Sequence, residues 1–357
     1  MSAEAVHQFT CLARNNDAVY DHASQLRKLF LSWGKRSNIY VLDQSHPDYE
    51  GVAHYKKYRP DPDDILVYHF GIGSVLTNFI LSQPGRKFLV YHNMTPAEYL
   101  LGVDNQSYFA VTKGRKELDR LRDNLDGVMA DSKFNARDLE TGHGYKKVTI
   151  APLLKDFSAW DGVSPDPDRL EKWKDDRKTI LFIGRVAPNK RQDELIGTLY
   201  AYKKLFGPEA RLVIPGSWGA TVGYRDYLQT LTRKFGLDDS VVMPGFIDEK
   251  DFHALFTLAD VYLSLSEHEG FGVPLLEAMY FRIPVVAYSV CSIPEMLGGA
   301  GIKIGHKNPM AIVAVLKELF ENREMRKRII ESQTRQLAEF SREKIEPVIK
   351  RTLEPYL

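Results

Sequence analysis

Residues 264–280 combine the residue types needed to hold a phosphate group at the start of a helix. The segment reads SLSEHEGFGVPLLEAMY, in which an apolar strand gives way to a glycine-punctuated turn and Pro274 stands at the predicted first helical position. Proline is favoured there because its missing N–H group would have no intrahelical partner anyway. The pattern predicts that the free N–H groups of Gly272, Val273 and Leu275 point toward a bound anion.

Two glutamates flank this turn, Glu269 in the loop and Glu277 in the first turns of the predicted helix. One interpretation is that Glu277 only complements the positive end of the helix dipole and that Glu269 is solvated. The spacing alone does not decide between that interpretation and a binding site. The full succession of strand, acid, Gly-aromatic-Gly, proline and acid favours a ligand-binding role for both carboxylates.

A second set of polar residues lies in the string LFIGRVAPNK, which starts at Leu181. Gly184, Arg185 and Lys190 fall in the loop after a predicted strand, where two cations are well placed to neutralise a diphosphate. A basic loop taken alone is more often a solvated surface. Because an anion-binding helix start is predicted in the same half of the chain, we interpret Arg185 and Lys190 as diphosphate ligands.

Two histidines end neighbouring strands in the first half of the chain. His69 lies in YHFGIGS and His92 in LVYHNMTP, each directly after a buried apolar run. A lone histidine is more often a hydrogen-bonded structural residue than a catalyst. Two histidines at one edge of a sheet leave the structural role and a pocket role for at least one of them both open.

The elements that must position these residues alternate between short apolar runs and amphipathic stretches. Such apolar runs suit parallel strands buried on both faces, and strict alternation with helices predicts the α/β class with doubly wound parallel sheets. The predicted strands start near residues 39, 65, 88, 127 and 148, and then near residues 179, 211, 241, 261, 284 and 301. The predicted helices include residues 20–32, 136–141, 192–205, 224–235 and 310–321.

Residues 155–178 interrupt this alternation with prolines and charges. We interpret the interruption as the join between two Rossmann-like domains, residues 1–160 and residues 175–340, each with five or six strands. The helical tail, residues 341–357, follows the last strand at too great a distance to join that sheet, and we expect it to cross back onto the first domain. Ligands of open α/β sheets bind at the carboxyl ends of the strands, so we expect a cleft where two such edges face each other.

Composition excludes several other classes of protein. The 357 residues carry 48 Lys and Arg against 47 Asp and Glu, a near-balance that argues against a nucleic-acid partner bound by bulk charge. Cys11 and Cys291 lie far apart, which disfavours a disulfide scaffold or a cysteine zinc site. No apolar run approaches the ~20 residues of a membrane-spanning helix and no signal peptide is visible, so we expect a cytoplasmic protein. The acidic strings DPDD and DPD precede strands, and we interpret them as exposed loops rather than metal sites.

These motifs together resemble those of the retaining glycosyltransferases of family GT4, which have the GT-B fold. The string from Glu269 to Glu277 matches the E-x7-E motif of that family, and Gly184-Arg185 with Lys190 matches its phosphate-binding G-R-x4-K. The segment SIPEMLGGAG, which starts at Ser292, resembles a further motif of the family. In the first half, YHNMTP and ADSKFNA are similar to the branch that builds bacterial cell-surface polysaccharides.

The resemblance implies a role for each matched residue. Arg185 and Lys190 would hold the diphosphate and stabilise it as the leaving group, Glu269 would bind hydroxyls of the donor sugar, and Glu277 would bind the ribose. His92 would line the reaction centre. The implied donor-binding set is completed by Gly184, Phe246, Phe271, Gly272, Val273 and Leu275. Many relatives have a glycine-containing loop after the first strand, whereas this chain has ARNNDA at that point. Contacts of Asn16 and Asp17 with the acceptor are therefore expected only if the turn keeps its shape without glycine. His69 is a further candidate for binding the acceptor.

The activity implied is a retaining, metal-independent transfer of a hexose from a nucleotide-diphosphate sugar to a glycan or lipid-linked acceptor, with no cofactor. Similarity of the Glu269 segment to mannosyltransferases favours GDP-mannose. A GT-B-fold sugar-nucleotide epimerase and a catalytically silent nucleotide-sugar binding subunit are the alternatives. The basic segment 113–122 is either a solvated helix face or a peripheral contact with the inner face of the membrane.

Overall fold

The computed structural model describes residues 3–14, 17–43 and 49–357, and these form two compact units. Unit 1 comprises Met1–Ala97, Gln106–Asp156 and Glu339–Leu357, and unit 2 comprises Glu98–Asn105 and Phe157–Ala338. The chain thus passes from unit 1 to unit 2 inside the proline-rich join, and its tail returns to unit 1. The assignment of Glu98–Asn105 to unit 2 was not predicted, since the sequence analysis placed a single boundary between the domains. Local composition carries no signal for such a grouping with residues far away in the chain.

Unit 1 is built on a seven-stranded parallel sheet with the order β3-β2-β1-β4-β5-β6-β7. The residues of β1 and β4 are buried throughout, which explains the nearly continuous apolar run of β4. The strands are β1 Val6–Thr10, β2 Ile39–Val41, β3 Val52–His54, β4 Ile65–Phe70, β5 Arg86–Tyr91, β6 Gly127–Ala130 and β7 Thr149–Ile150.

Unit 2 repeats this plan with a six-stranded parallel sheet in the order β10-β9-β8-β11-β12-β13. In both sheets the chain first adds strands on one side and then returns to add the rest on the other, so the order reverses beside the first strand. Ligands of such sheets bind at the carboxyl ends next to that reversal. The strands are β8 Lys178–Leu181, β9 Ala210–Pro215, β10 Val241–Gly245, β11 Val261–Ser264, β12 Val285–Tyr288 and β13 Ile302–Ile304.

Helices connect the strands, and several begin directly after a capping side chain. Asp17, Ser132, Asp166 and Asp248 each accept hydrogen bonds from backbone N–H groups in the first turn that follows. The helices are α1 Ala18–Ser32, α2 Leu76–Leu81, α3 Asn105–Arg122, α4 Lys133–Arg137, α5 Pro167–Trp173, α6 Gln192–Phe206, α7 Val222–Lys234, α8 Glu249–Leu258, α9 Val273–Tyr280, α10 Ile293–Leu297, α11 Pro309–Glu321, α12 Arg323–Leu337 and α13 Arg342–Leu353. In the described part of the chain, none has the length and apolar character needed to cross a bilayer.

The tail helix α13 packs into the core of unit 1. Its apolar face places Ile345, Ile349 and Leu353 among buried residues of β1, β4 and β5. The Trp33 indole N–H also donates to the Glu346 carboxylate at 2.9 Å. Burial of three aliphatic side chains on one face is the expected behaviour of an amphipathic helix.

The predicted α/β class with parallel sheets is confirmed, and two strands of unit 1 were not predicted. β1 reads VHQFT, and its polar residues hide a strand that is nevertheless buried. Gln8 tolerates burial because its amide donates to the Ala23 carbonyl at 2.8 Å and accepts from His69 at 2.9 Å. β3 has only three half-buried residues, and the count of five or six strands per domain is therefore too low for unit 1, which has seven.

The two acidic strings are mostly exposed, as predicted, with residues 61–63 and 167–168 at the surface, but Asp64 and Asp166 are not fully exposed. Asp64 is buried and accepts a hydrogen bond from the Tyr58 hydroxyl at 2.9 Å, while Asp166 caps α5 through the N–H groups of Asp168 and Arg169. Among the described residues, no three His, Cys, Asp or Glu side chains are grouped so as to hold a metal ion.

Close backbone contacts join the carboxyl ends of the first strands of unit 2. The N–H of Gly184 donates to the Pro215 carbonyl at 3.2 Å, and the N–H of Gly216 donates to Gly245 at 2.8 Å. A Cβ atom on Gly216 would lie only 1.8 Å from the Gly184 carbonyl oxygen. Glycine is therefore required at 216 so that the loops after β8 and β9 can approach each other.

We predict that Gly216→Ala lowers the stability of unit 2 by about 1–3 kcal/mol or more, because backbone atoms must move to accept the methyl group. Urea unfolding monitored by tryptophan fluorescence measures the effect. Gly197→Ala, in α6 with no heavy atom within 4 Å of the added methyl, is the matched control and should be neutral or slightly stabilising. A Gly216→Ala protein that unfolds at the wild-type urea concentration would contradict the steric account.

Candidate functional site

The predicted donor-binding residues of unit 2 lie in two loops that follow adjacent strands. β8 and β11 pair in parallel, with Val261 opposite Ile180 and Tyr262 opposite Leu181. Their carboxyl ends therefore meet at the reversal of strand order, where the loop 182–191 leaves β8 and the loop 265–272 leaves β11. The sheet thus brings Arg185 and Lys190 to the same edge as Glu269.

Hydrogen bonds tie the two loops together. The N–H of Glu267 donates to the Asn189 carbonyl at 2.8 Å, and the Asn189 side-chain amide donates to the His268 carbonyl at 3.3 Å. The Ser292 hydroxyl lies 3.0 Å from the carbonyl oxygens of both Glu269 and Phe271. These contacts fix the backbone on either side of Lys190 and Glu269, which limits how far either residue can drift.

Lys190 and Glu269 form an ion pair with an Nζ–Oε2 distance of 2.6 Å. Both side chains are largely enclosed, with 19% and 12% of their surfaces exposed. The cation predicted to bind diphosphate and the carboxylate predicted to bind the sugar therefore neutralise each other in this structure. A donor that engages both groups must separate them.

The turn before α9 differs from the prediction in two details. The helix begins at Val273, so Pro274 occupies its second position, and Gly272 has a left-handed conformation with φ of 97°. The Leu275 N–H donates to the Gly272 carbonyl at 3.0 Å, so the expectation that this group is free is wrong: a local turn uses it. Within the described residues, no acceptor pairs with the N–H groups of Gly272 and Val273.

The structure brings Glu269 and Glu277 close to one buried phenol. Tyr262, on β11, donates its hydroxyl hydrogen to the Ile183 carbonyl at 3.1 Å. Burial, together with the nearby charges of Glu269 and Glu277, raises the pKa of Tyr262 well above its ordinary value. Glu277 itself is buried on α9. The sequence offered no signal for Tyr262, which lies inside an apolar strand.

A second charged cluster, not predicted from the sequence, adjoins the Lys190–Glu269 pair. Glu267 accepts from Arg191 at 2.7 Å, from Lys307 at 2.9 Å and from the Tyr99 hydroxyl at 3.2 Å. Although burial raises the pKa of Glu267, the hydrogen bonds from Lys307 and Arg191 outweigh it and hold that pKa below its ordinary value. The adjacent residues Glu267 and Glu269 thus each have basic partners.

The remaining predicted donor ligands differ in exposure. Arg185 is exposed, and its guanidinium lies within electrostatic reach of the buried Asp104. Phe246 directly follows β10 and is 54% exposed, as expected of a ring that offers a flat surface to a ligand. Phe271 is buried. The ligand contacts of these residues stay predictions.

The histidines of unit 1 form a buried chain. The Nδ1 atom of His69 lies 3.0 Å from His92 Nε2, His69 Nε2 lies 2.9 Å from the Gln8 amide oxygen, and His92 Nδ1 lies 2.8 Å from the Asp131 carboxylate. The rings of His69 and His92 are nearly parallel, with 6° between their planes, and they meet through their ring nitrogens. His69 is only 2% exposed.

This arrangement changes the expectation for both histidines. His69 is buried and both of its ring nitrogens are engaged, so we replace its predicted acceptor contact with a role inside unit 1. Both ring nitrogens of His92 are also engaged, so its predicted role at the reaction centre would have to come from its position rather than from a free ring nitrogen.

The glycine-free loop after β1 is only partly described. Asn16 lies outside the described residues, as does Asn15. Asp17 caps α1, since its Oδ1 accepts from the N–H groups of Val19 and Tyr20 at 3.0 and 2.9 Å. The cap accounts for this carboxylate, and its contact with an acceptor stays a prediction.

Comparison with known proteins finds a family match within unit 2, the unit that contains the Lys190–Glu269 pair. Residues 167–336 match the family described as Glycosyl transferases group 1. The chain is 33% identical over 123 residues to the O-antigen chain mannosyltransferase B of Escherichia coli, a match covering 34% of this chain and 31% of that protein. It is 30% identical over 176 residues, or 44% of each chain, to a GDP-mannose-dependent phosphatidylinositol monomannoside mannosyltransferase of Mycolicibacterium smegmatis. These matches span less than half the length of either relative.

Solved structures match nearly the whole chain in fold. The sucrose-phosphate synthase of Thermosynechococcus elongatus superposes with a TM-score of 0.78 at 15% identity, covering 99% of this chain and 98% of that one. HepE of Anabaena, solved with UDP and glucose, superposes with a TM-score of 0.68 at 15% identity, covering 99% and 100%. Residues 167–336 are therefore similar to the group 1 glycosyltransferase family, and the chain has the fold of these solved structures, with two parallel-sheet units of the kind found in GT-B glycosyltransferases.

Proposed function

We propose that this protein is a retaining glycosyltransferase that moves a hexose from a nucleotide-diphosphate sugar to a glycan or lipid-linked acceptor. The observation that carries the proposal is the enclosed Lys190–Glu269 pair, at the strand-order reversal of a group 1 glycosyltransferase domain and next to the start of α9. Lys190, the proposed ligand of the diphosphate, and Glu269, the proposed ligand of the sugar hydroxyls, are thereby held in direct contact.

Breaking the sugar–phosphate bond builds negative charge on the departing diphosphate. Arg185 and Lys190 supply positive charge, and the N–H groups of Gly272 and Val273 supply hydrogen-bond donors at the positive end of α9. Donors and charges fixed before the reaction stabilise the developing charge without reorganisation, and one such group is typically worth about 3–4 kcal/mol. We propose on this basis that transfer needs no metal ion.

Donor binding exchanges one set of ionic contacts for another. The diphosphate takes Lys190 from Glu269, and the freed carboxylate accepts hydrogen bonds from hydroxyls of the transferred sugar. A nucleoside diphosphate without a sugar would leave Glu269 with an uncompensated charge. The exchange therefore favours the complete donor over the released product.

The identity of the donor base and sugar rests on the relatives. Both mannosyltransferases named above support mannose, and the name of the mycobacterial enzyme supports GDP-mannose, whereas the Anabaena structure holds UDP and glucose. We propose GDP-mannose as the donor and surface polysaccharide or glycolipid synthesis as the setting.

A donor panel tests this function. Purified protein is incubated with GDP-mannose, UDP-glucose, UDP-GlcNAc and deoxysugar nucleotides, and binding, hydrolysis and sugar configuration are measured. Slow hydrolysis of one nucleotide sugar supports a transferase. An epimerised nucleotide sugar would support the epimerase alternative, and binding without turnover, with or without candidate acceptors, would support a silent binding subunit.

We further propose that helix α3 contacts the inner face of the membrane. On α3, Lys113 pairs with Glu117, Arg115 with Asp138 and Arg122 with Asp123, so much of the basic segment is already neutralised. Leu118 and Leu121 are buried in the core. Phe109, which is 68% exposed on the same helix, is the one observation that favours contact with a lipid-linked acceptor.

Arg185→Ala and Lys190→Ala are each predicted to lower turnover by ~100-fold or more, since each removes a charge that stabilises the leaving diphosphate. Steady-state kinetics with the donor chosen from the panel measure the loss. Lys234→Ala, an exposed cation at the end of α7, is the matched control and should retain wild-type turnover. Near-wild-type turnover of both site variants, with unchanged circular dichroism, would defeat the diphosphate assignment.

We predict that Glu269→Gln tightens binding of the bare nucleoside diphosphate about tenfold, equivalent to ~1.4 kcal/mol, while it abolishes most of the transfer. The substitution frees Lys190 from its carboxylate and removes a negative charge beside the phosphates. Isothermal titration calorimetry with GDP and with GDP-mannose measures the two affinities separately. Glu324→Gln, which breaks the exposed pair with Arg328, should change neither. Unchanged or weaker GDP binding by Glu269→Gln would contradict a competition between the Glu269 carboxylate and the phosphates for Lys190.

A further inference from the structure

Four polar residues form a continuous hydrogen-bonded chain inside unit 1, in the order Gln8, His69, His92 and Asp131. The side chains come from β1, the end of β4 and the positions just after β5 and β6. Gln8 is 0% exposed, His69 is 2% exposed and Asp131 is 1% exposed. With solvent excluded, each polar atom depends on its neighbour in the chain for a hydrogen-bond partner.

Gln8 sets the donor-to-acceptor direction of all the hydrogen bonds in this series. Its amide nitrogen donates to the Ala23 carbonyl at 2.8 Å, which turns the amide oxygen toward His69 Nε2 at 2.9 Å. The reverse orientation would place two oxygen acceptors against each other. Because an amide oxygen can only accept, His69 must carry its proton on Nε2.

The direction then passes from His69 to His92. Burial, together with the neighbouring His92 and His22, lowers the pKa of His69 well below its ordinary value, so its ring is neutral and Nδ1 is an acceptor. His92 Nε2 lies 3.0 Å from that acceptor and must therefore carry a proton. An unprotonated Nε2 would bring two nitrogen lone pairs into contact.

The last link requires one proton more than ordinary ionisation provides. An ionised Asp131 beside a neutral His92 protonated on Nε2 would place a carboxylate oxygen 2.8 Å from an unprotonated Nδ1 atom, with no hydrogen between them. A proton must therefore lie on this line. It makes His92 an imidazolium if it resides on Nδ1, and it makes Asp131 a neutral acid if it resides on Oδ2.

Two features place the proton on Asp131. The other carboxyl oxygen, Oδ1, is buried and has no hydrogen-bond partner among the described residues, a position that costs far less for a neutral acid than for a carboxylate. Burial is also the main reason that the pKa of Asp131 lies above its ordinary value, against the opposing effect of His92. Of the other titratable groups in the cluster, His22 accepts a hydrogen bond from the Leu154 N–H at 2.9 Å, and burial lowers its pKa to about 3.

We propose that Asp131 is a neutral carboxylic acid that donates its proton to His92 Nδ1, so that unit 1 binds one more proton than its sequence suggests. Gln8, His69 and Asp131 are then positioning residues for His92, because together they fix its ring, its tautomer and its lack of charge. The protonation state stands independently of the proposed transferase activity. Only its consequence, a reaction-centre histidine that is held neutral, rests on that activity.

The pH dependence of unfolding tests the extra proton. Asp131 has a pKa of about 3.9 once unfolded, so unfolding releases the proton above that pH and the folded state loses stability as pH rises toward its own, higher pKa. The unfolding equilibrium constant of the wild type, measured relative to that of Asp131→Asn, should therefore rise by up to tenfold per pH unit as the pH increases above about 3.9 and until it reaches the folded-state pKa. The contributions of His22 and His69 are common to both proteins and cancel. Equal slopes would overturn the proposal.

The position of the proton is tested by nitrogen NMR of the histidine rings near neutral pH. The amide introduced by Asp131→Asn can donate to His92 Nδ1 as the neutral acid does, so His92 should show one protonated and one unprotonated nitrogen in both the wild type and the variant. A doubly protonated His92 that becomes neutral only in Asp131→Asn would overturn the assignment to Asp131. Gln8→Leu is the second variant, since it removes the group that sets the direction and should permit a mixture of His69 tautomers. Neither measurement uses a nucleotide sugar, so failure of the transferase proposal would leave both results interpretable.

Discussion

The ion pair between Lys190 and Glu269 is the contact on which the charged edge of the unit 2 sheet depends. Its 2.6 Å length reflects two loops that leave neighbouring parallel strands and are held together by the bonds of Asn189 and Ser292. The pairing of β8 with β11 is what brings Lys190 and Glu269, which are far apart in sequence, into contact. At the same edge, the loop after β8 also packs closely against the loop after β9 at Gly216. The pairing of the strands therefore determines which charged side chains lie near one another.

Both units place their polar clusters at corresponding points of the same topology. In each sheet the order reverses beside the first strand, between β1 and β4 in unit 1 and between β8 and β11 in unit 2. The chain Gln8–His69 crosses the first reversal, and the Lys190–Glu269 pair spans the loops at the second. Because parallel strands end at the same edge of the sheet, the loops that follow them bring residues that are distant in sequence close together there.

The sequence predicted the strand, the turn and the helix start around Glu269 because their pattern is local: glycines, a proline and acids stand within one string. Most strands were predicted for the same reason. The exceptions are β1, whose polar residues conceal a buried strand, and β3, which has only three half-buried residues. Tyr262, Glu267, Gln8 and Asp131 could not be predicted, since what distinguishes each is a partner far away in the chain. The prediction that the Leu275 N–H is free was wrong for the opposite reason, because a local turn pairs that N–H with the Gly272 carbonyl.

The two clusters balance charge by different physical means, and the difference bears on what each can do. Unit 2 pairs opposite charges at largely enclosed side chains, so a ligand that takes one partner must also compensate the charge of the other. Unit 1 balances a buried carboxyl group with a shared proton, in surroundings where an exchange of ions would cost far more. The first arrangement suits groups that must change partners when a donor arrives. The second suits groups that must stay as they are while charge develops elsewhere.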